Sequence, residues 1–552
     1  MEKRALLAFL LSIMILLLWD LYFTPKKEPV KPEKTKQEEM IPEQEAAEQQ
    51  EEHRASVDAE VLPSFKMEQI EKEVKTWIVD TPVYEARILQ PGARLFSLTL
   101  KKHKSRAGED APFMELITAK PYGYLPLAVE LLHHQDFNLS TMSYTGPEET
   151  KVKLDGQDNK TMEFRAVADG AVEVVKRYSW KGGSYDIDLT VEVTNLSSEP
   201  LRDSLSLSSY YLPYEENEPS YNHSRLAYYA NRELTKIDMK KIRKEAVTLE
   251  NSVNWIGFEN NYFIQALIPM TNEPYTLVGR VIRPDVGLLQ LVYVSPEFTL
   301  SPGEARSWSF RLYMGPKEME ELEKAGHLLT ASIDYGWVGF LARPLLKFLV
   351  WIYRYTHNYG VAIILLTVII KLIFWPLTHK SYKSMQKMKE IQPLIAKLRE
   401  KYKDDREKLN QELLQLYRTY KINPMGGCLP IIIQIPFFFA LYRMLYGSVE
   451  LRHQPFCLWI NDLTAPDRLF IGFHIPYLGG VPVLTLLMGL SMFIQQKMSP
   501  SPGDPRQERI MLLMPVIFTV FFINFPSGLV LYWFVNNVLS IVQQFWINRA
   551  TS

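Results

Sequence analysis

The polar and apolar positions divide this chain into stretches of unlike texture. At the start, Lys3 and Arg4 precede an apolar run over 5–19, which ends in the bulky string Trp19-Asp20-Leu21-Tyr22-Phe23. A cleaved signal peptide ends in small residues, so this ending predicts an uncleaved membrane anchor over 1–23 with its N-terminus inside. Residues 24–60 are mostly Glu, Gln, Lys and Pro, with hardly an aliphatic side chain. Such a segment buries too little apolar surface to offset its ordering entropy, and it predicts a disordered linker. From about 61 to 316 the pattern changes to period two. VEVVKRYSW, YDIDLTVEVTNL, SLSLSSYYL, YFIQALI, LLQLVYV and SWSFRLYMG alternate, with QPGA, KGGS and SPGE as turn signals between strands. Many strands without regular helices between them predict an antiparallel β-sandwich. The helical string KEMEELEKAGHLL extends this domain to about 330. The strand aromatics read as core packing, with a carbohydrate-type cleft as the alternative.

The remaining third of the chain is apolar on a helical scale. Residues 331–354 are greasy and aromatic but carry Arg343, Lys347 and Arg354. That predicts an amphipathic helix lying in the membrane interface, with Pro344 as a break point. Residues 355–377 hold one charge, Lys371, and are long enough to cross a bilayer. Further uncharged stretches begin near 427, cover 481–496, and run unbroken over 510–548. The last is too long for one crossing and fits two, folded at Phe525-Pro526-Ser527-Gly528. Together with the anchor this predicts a multi-domain protein: a polytopic α-helical membrane core, six transmembrane helices in total, plus an all-β sandwich on the outer side. The core proper, five helices over 355–549, includes a hairpin over 378–428.

Charge sets the orientation. The hairpin holds twelve Lys and Arg against six Asp and Glu, a strong cytoplasmic signal. Met388, Ile391, Ile395, Leu398 and Tyr402 form one apolar stripe in it, and Leu409, Leu413, Leu416, Tyr417 and Tyr420 another; Asp404 and Glu407 suit the start of its second helix. Counting crossings leaves 24–350 and 450–480 outside, with 498–509 and both termini in the cytoplasm. The net charge of −1 points to no particular partner. The two cysteines, Cys428 and Cys457, fall near opposite faces and form no disulfide framework. No phosphate loop, HExxH or GxSxG motif is present. The expectation is a non-enzyme without cofactor, catalytic residue or metal.

Lys371 is the one chemical oddity. A cation inside hydrocarbon costs about 2.5–3.5 kcal/mol on insertion scales and needs a wet cavity, a partner or an escape route. It lies about 9 Å of helix from position 377, within partial reach of headgroups by snorkelling. The residues alone leave escape and a buried polar site both open. Gln434 adds a polar group to the third stretch, where Pro430 and Pro436 also fall.

The strings WPLTHKSYKSMQKMKEIQP, NPMGGCLPIIIQIPFFFALYRMLYGSVELR and MPVIFTVFFINFPSGLVLYWFVNN resemble the YidC membrane protein insertases. An anchor followed by a large outer β domain is similar to the Gram-negative branch of that family, which implies a bacterial inner-membrane protein with an all-β periplasmic sandwich domain. The resemblance implies five core spans around a hydrophilic groove, open to cytoplasm and lipid and sealed outside. It places a basic residue of the second span in that groove, here Lys371 where arginine is commoner, with Thr367 one turn earlier. It also puts Gln434, Tyr532 and Trp533 at positions lining or flanking the groove, with Trp533 where tyrosine is frequent. Lysine keeps the charge but lacks the planar five-donor fork of arginine. The implied partners are nascent membrane proteins, the Sec translocon, membrane lipids, and the ribosome through the hairpin and the 498–509 loop, with no small-molecule substrate. The competing readings are a secondary transporter or channel, and an anchored periplasmic glycan binder.

Overall fold

The computed structural model describes residues 74–551 apart from 109, 214–222, 251–252, 404, 421–428, 474, 476–477 and 499–504. The anchor and linker expected over 1–60 lie outside the described residues.

The strand pattern is realised as one eight-stranded sheet and two five-stranded sheets, with a two-stranded ladder beside them. The large sheet runs Glu233–Asp238, Arg225–Ala230, Val253–Glu259, Phe263–Pro269, Ala305–Pro316, Asp186–Asn195, Val172–Lys181 and Asn159–Ala168 in spatial order. Long ladders such as Val172–Lys181 against Asp186–Asn195 keep every second side chain on the covered face. Aromatic pairs join this sheet to the smaller ones: Trp77 meets Phe164 edge-on at 5.0 Å, Tyr211 stacks on Phe258 at 5.2 Å, and Tyr293 meets Phe310 at 4.9 Å. Trp77, Trp180 and Trp255 are wholly buried, so the strand aromatics fill the core. The sandwich is not antiparallel throughout. Thr76–Asp80 pairs in parallel with Lys151–Lys153, because the chain travels a long way between these strands and reaches the sheet edge from the same end.

Helix α1 (Met319–Ala325) ends the sandwich; it is shorter than the helical pattern over 317–330, since Gly326 at φ +75° closes it and a 3₁₀ turn, Leu329–Ser332, follows. Helix α2 (Gly339–Thr356) passes through Pro344 without a break, because the proline stands near the start, where only one intrahelical N–H is forgone. His357 in the left-handed region turns the chain, and Asn358 caps α3 (Tyr359–Glu390) by accepting from the Val361 N–H at 3.1 Å. Helix α3 does not end at the membrane surface expected near 377 but carries on into the basic region. There α4 (Gln392–Lys401) and α5 (Arg406–Thr419) pack through Ile391, Ile395, Leu413, Leu416 and Tyr417. The cap of α5 is Asp405, whose carboxylate accepts from Lys408 N–H at 3.0 Å; Asp404 lies outside the described residues.

The apolar helices that follow are α6 (Leu429–Gly447), α7 (Val483–Met498), α8 (Pro505–Phe522) and α9 (Ser527–Thr551). Helix α8 starts at Pro505, so Arg506 to Arg509 belong to its first turns rather than to a loop. The fold-back falls between Phe522 and Ser527, as the Pro-Ser-Gly string predicts. Helix α9 packs on both α3 and α7, and α7 carries α8, while α6 leans mainly on α2. Glycine sets the closest approaches: a Cβ on Gly360 would strike the Phe456 ring, and one on Gly489 would strike Thr519 of α8.

Candidate functional site

Thr367 and Lys371 stand four residues apart on α3, one above the other on the face turned to α9, and both are buried. The Lys371 ammonium does not extend along its helix toward position 377. Its Nζ donates to Ser540 Oγ at 2.6 Å, and Ser540 in turn donates to the Asn536 carbonyl at 2.7 Å. No carboxylate forms a salt bridge with it among the described residues. Thr367 turns its hydroxyl onto its own helix, donating to Ile363 O at 2.6 Å.

Helix α9 carries two polar stripes. Asn536, Ser540 and Gln543 recur at helical spacing toward α3, where the Gln543 amide donates to Thr378 Oγ1 at 2.9 Å. Asn537 and Gln544 face α7: the first donates to Ser491 Oγ at 3.1 Å, the second to Met498 O at 2.9 Å. The Tyr382 hydroxyl shares Ser540 and also bonds Gln495. A seam of amides and hydroxyls therefore runs down the apolar bundle with one ammonium at its centre. Burying polar groups is costly unless they are hydrogen-bonded, and α9 supplies most of the partners here, though Gln544 Oε1 is left without one among the described residues.

The other expected site residues fall elsewhere around this seam. Tyr532 is buried on α9, two turns before Ser540. Trp533 points the next way and joins an aromatic cluster, 4.9 Å from Phe438 of α6 and 4.8 Å from Phe522 of α8. It braces three helices rather than presenting a polar group. Gln434 is half-buried on α6, which meets α3 through an edge-on Phe374–Phe437 pair at 5.0 Å, and no hydrogen bond joins it to Lys371 among the described residues. So Lys371 and Thr367 come together with α9, while Gln434 and Trp533 belong to the α6 side. Ser540, Gln543, Asn537 and Ser491 escaped the sequence reading. The polar residues at 536, 537, 540, 543 and 544 inside an uncharged run were the available signal.

The end of the bundle where α8 turns into α9 is bound to the loop before α7. Asp467 accepts from Trp459 Nε1 at 2.6 Å and from Thr485 N–H at 3.1 Å. Ser527 and Gly528, which open α9, bond the backbone of the 450–482 loop at Asp462, Leu463 and Ala465. Arg468 reaches Ile523 O and Asn524 on the turn between α8 and α9.

Residues 351–552 match the family described as 60Kd inner membrane protein, and residues 76–348 match the YidC periplasmic domain. A Syntrophobacter fumaroxidans protein named membrane protein insertase YidC is 52% identical over 551 residues, covering the whole of both chains. The chain belongs to the YidC membrane protein insertase family. Relatives of the same name from Pelobacter propionicus and Syntrophus aciditrophicus are 39% and 38% identical, again over both full lengths. A crystal structure titled as an active YidC insertase with its first transmembrane domain resolved matches 85% of this chain and 92% of its own, at 19% identity and a TM-score of 0.35. Family membership makes this an inner-membrane protein whose β-sandwich is the periplasmic domain.

Proposed function

We propose that this chain inserts newly made inner-membrane proteins without covalent chemistry, taking the substrate's polar segment along the Lys371 seam. The observation that carries this reading is the ammonium itself, buried among apolar helices with a serine hydroxyl as its hydrogen-bond partner. A charge kept so expensively placed, with no carboxylate paired to it among the described residues, suits a site that meets acidic or polar groups arriving from elsewhere. Thr367 and Gln434 lie at the edges of the route, and the substrate's apolar segment passes between α6 and α8, which flank Trp533 and leave the bundle on its lipid side.

Helix lengths favour the same act. Sixteen residues of α7 span about 24 Å and the apolar part of α8, Met511–Phe522, about 18 Å, against roughly 30 Å of hydrocarbon. Short helices thin the surrounding bilayer and shorten the path over which polar groups stay desolvated. The free energy comes from burying the substrate's own apolar surface, with the membrane potential acting on its acidic residues.

In this reading the chain crosses the membrane six times, α2 lies in the interface, and both termini and the α4–α5 hairpin are cytoplasmic. The hairpin and the 498–509 segment meet the ribosome, and the Sec translocon is a partner for larger substrates. The test is insertion of a small single-span protein in a depletion strain carrying Lys371→Ala or Lys371→Glu. Full activity of both variants overturns the electrostatic role. Photocrosslinking from positions 367, 371, 434 and 533 during translation checks the route, and absence of nascent-chain adducts removes it.

A further inference from the structure

The loop between α6 and α7 carries an apolar tip that plays no part in the route along Lys371. Backbone bonds in both directions pinch the chain two residues before α7 begins: Leu469 N–H to Val481 O at 2.8 Å, and Val481 N–H to Leu469 O at 2.9 Å. Gly480 permits this approach, since a Cβ there would stand 2.8 Å from Leu469 O. Within the loop Ile475 O accepts from Leu478 and Gly479, and Gly472 at φ +96° and Gly479 at φ +75° take conformations that side chains resist. Just past the pinch, Phe470, Ile471 and Phe473 are 60%, 47% and 63% exposed.

The two charged residues at the foot of this tip are engaged by the protein. Asp467 is buried and holds Trp459 and Thr485, while Arg468 donates to the carbonyls of Asp467 and Ile523 and to Asn524. From Leu469 to Gln496 the chain contains no Asp, Glu, Lys or Arg. Arg452, earlier in the same loop, donates to Lys104 O and Ser105 O of the sandwich at 2.6 and 2.9 Å, so this end of the bundle faces the periplasm. Along the chain the tip leads into α7. There Leu486, Leu490 and Ile494, four residues apart, are exposed on one face, while Leu484, Met488 and Ser491 pack inward. In an inner-membrane protein such an exposed apolar helix face meets acyl chains. Phe and Ile carry no hydrogen-bonding group, so their exposed surface favours the same surroundings over headgroups or water.

We propose that Phe470, Ile471 and Phe473 bed in the acyl region of the periplasmic leaflet beside α7, which makes the tip a lipid anchor rather than a water-exposed loop. Lipid is the occupant because apolar exposure continues, without an intervening charge, from the tip to the exposed face of α7. Through Arg468 and Arg452 the anchor holds the α8–α9 turn and the edge of the sandwich at the bilayer surface. It makes no use of Lys371, so its failure would leave the insertion route standing.

The full-length protein carrying Cys428→Ser and Cys457→Ser is spin-labelled at Ile471→Cys or Phe473→Cys and reconstituted in vesicles of phosphatidylethanolamine and phosphatidylglycerol. Leu490→Cys on α7 is the lipid-facing control, and Glu149→Cys on the surface of the sandwich the aqueous one. Collision of each label with oxygen, which concentrates in hydrocarbon, is compared with collision with a water-soluble nickel chelate. Labels at 471 and 473 are expected to favour oxygen as Leu490→Cys does, at a depth of about 5–10 Å below the phosphates. Labels that favour the chelate as Glu149→Cys does put the tip in water and overturn the proposal. Exclusion of both reagents overturns it as well, because the tip is then covered by a second copy or another protein. Phe470→Ser with Phe473→Ser, both outside the core, should shift the label at 471 toward the chelate. A label at 471 that stays in lipid in that variant overturns the anchoring role of the two rings.

Discussion

Lys371 illustrates how one side chain is given a place by the residues around it rather than by its own. Its ammonium is anchored by Ser540, and a hydrogen bond to a charged group contributes roughly 1.5–3 kcal/mol. Ser540→Val is therefore expected to lower bundle stability by about that amount, read as a lower unfolding midpoint of the full chain in detergent. Lys371→Arg keeps the charge and should retain insertion, whereas Lys371→Met should slow it by about tenfold or more, or roughly 1.4 kcal/mol of barrier. A second buried charge site acts purely on stability. Glu259, wholly buried in the sandwich, faces Lys317 at 2.9 Å, Lys236 at 3.3 Å and Arg225 at 3.4 Å. Burial alone would raise its carboxyl, but the three cations outweigh this and hold it down to about 2. Because the folded value lies below the unfolded one, this contribution is present above about pH 4.5 and is lost as pH falls toward 2. Glu259→Gln, which strands the buried Lys317, should cost about 3–5 kcal/mol and flatten the acid limb of a pH-dependent unfolding curve.

Among elements, α9 organises the bundle. Its two polar stripes grip α3 and α7 separately, and α8 reaches the rest mainly through α7. That last contact depends on Gly489, which lets Thr519 approach where a side chain would stand. Gly489→Leu should force α8 away at a cost of about 1–3 kcal/mol. The expected readout is faster protease cleavage near 499–509 with the periplasmic sandwich unaffected. The loop after α6 adds a second tie, since its bonds to the α8–α9 turn hold that end of the bundle together, while further along α3 and α9 meet through the Thr378–Gln543 and Tyr382–Ser540 pairs.

For the whole molecule, the sandwich and the bundle touch through α1, α2 and the loop after α6, and none of these contributes a residue to the Lys371 seam. Removing residues 76–316 is therefore expected to leave insertion of a small single-span substrate largely intact in a complementation assay. Loss of that activity would require the periplasmic domain to take part in the route itself.

Period-two alternation, turn strings and long uncharged runs are local properties, and so the sequence alone determined the strands, the apolar helices and their approximate ends. It also singled out Lys371, since one charge in an apolar run is visible without any fold. Tertiary structure alone decided what that charge touches: Ser540 lies far along the chain, and a serine in an uncharged run carries no mark of its partner. It likewise decided that α3 runs on past 377, that Trp533 braces α6 and α8, and that Thr76–Asp80 pairs in parallel. Each depends on which faces meet across long separations, and hydrophobic periodicity gives the face of an element without naming its neighbour.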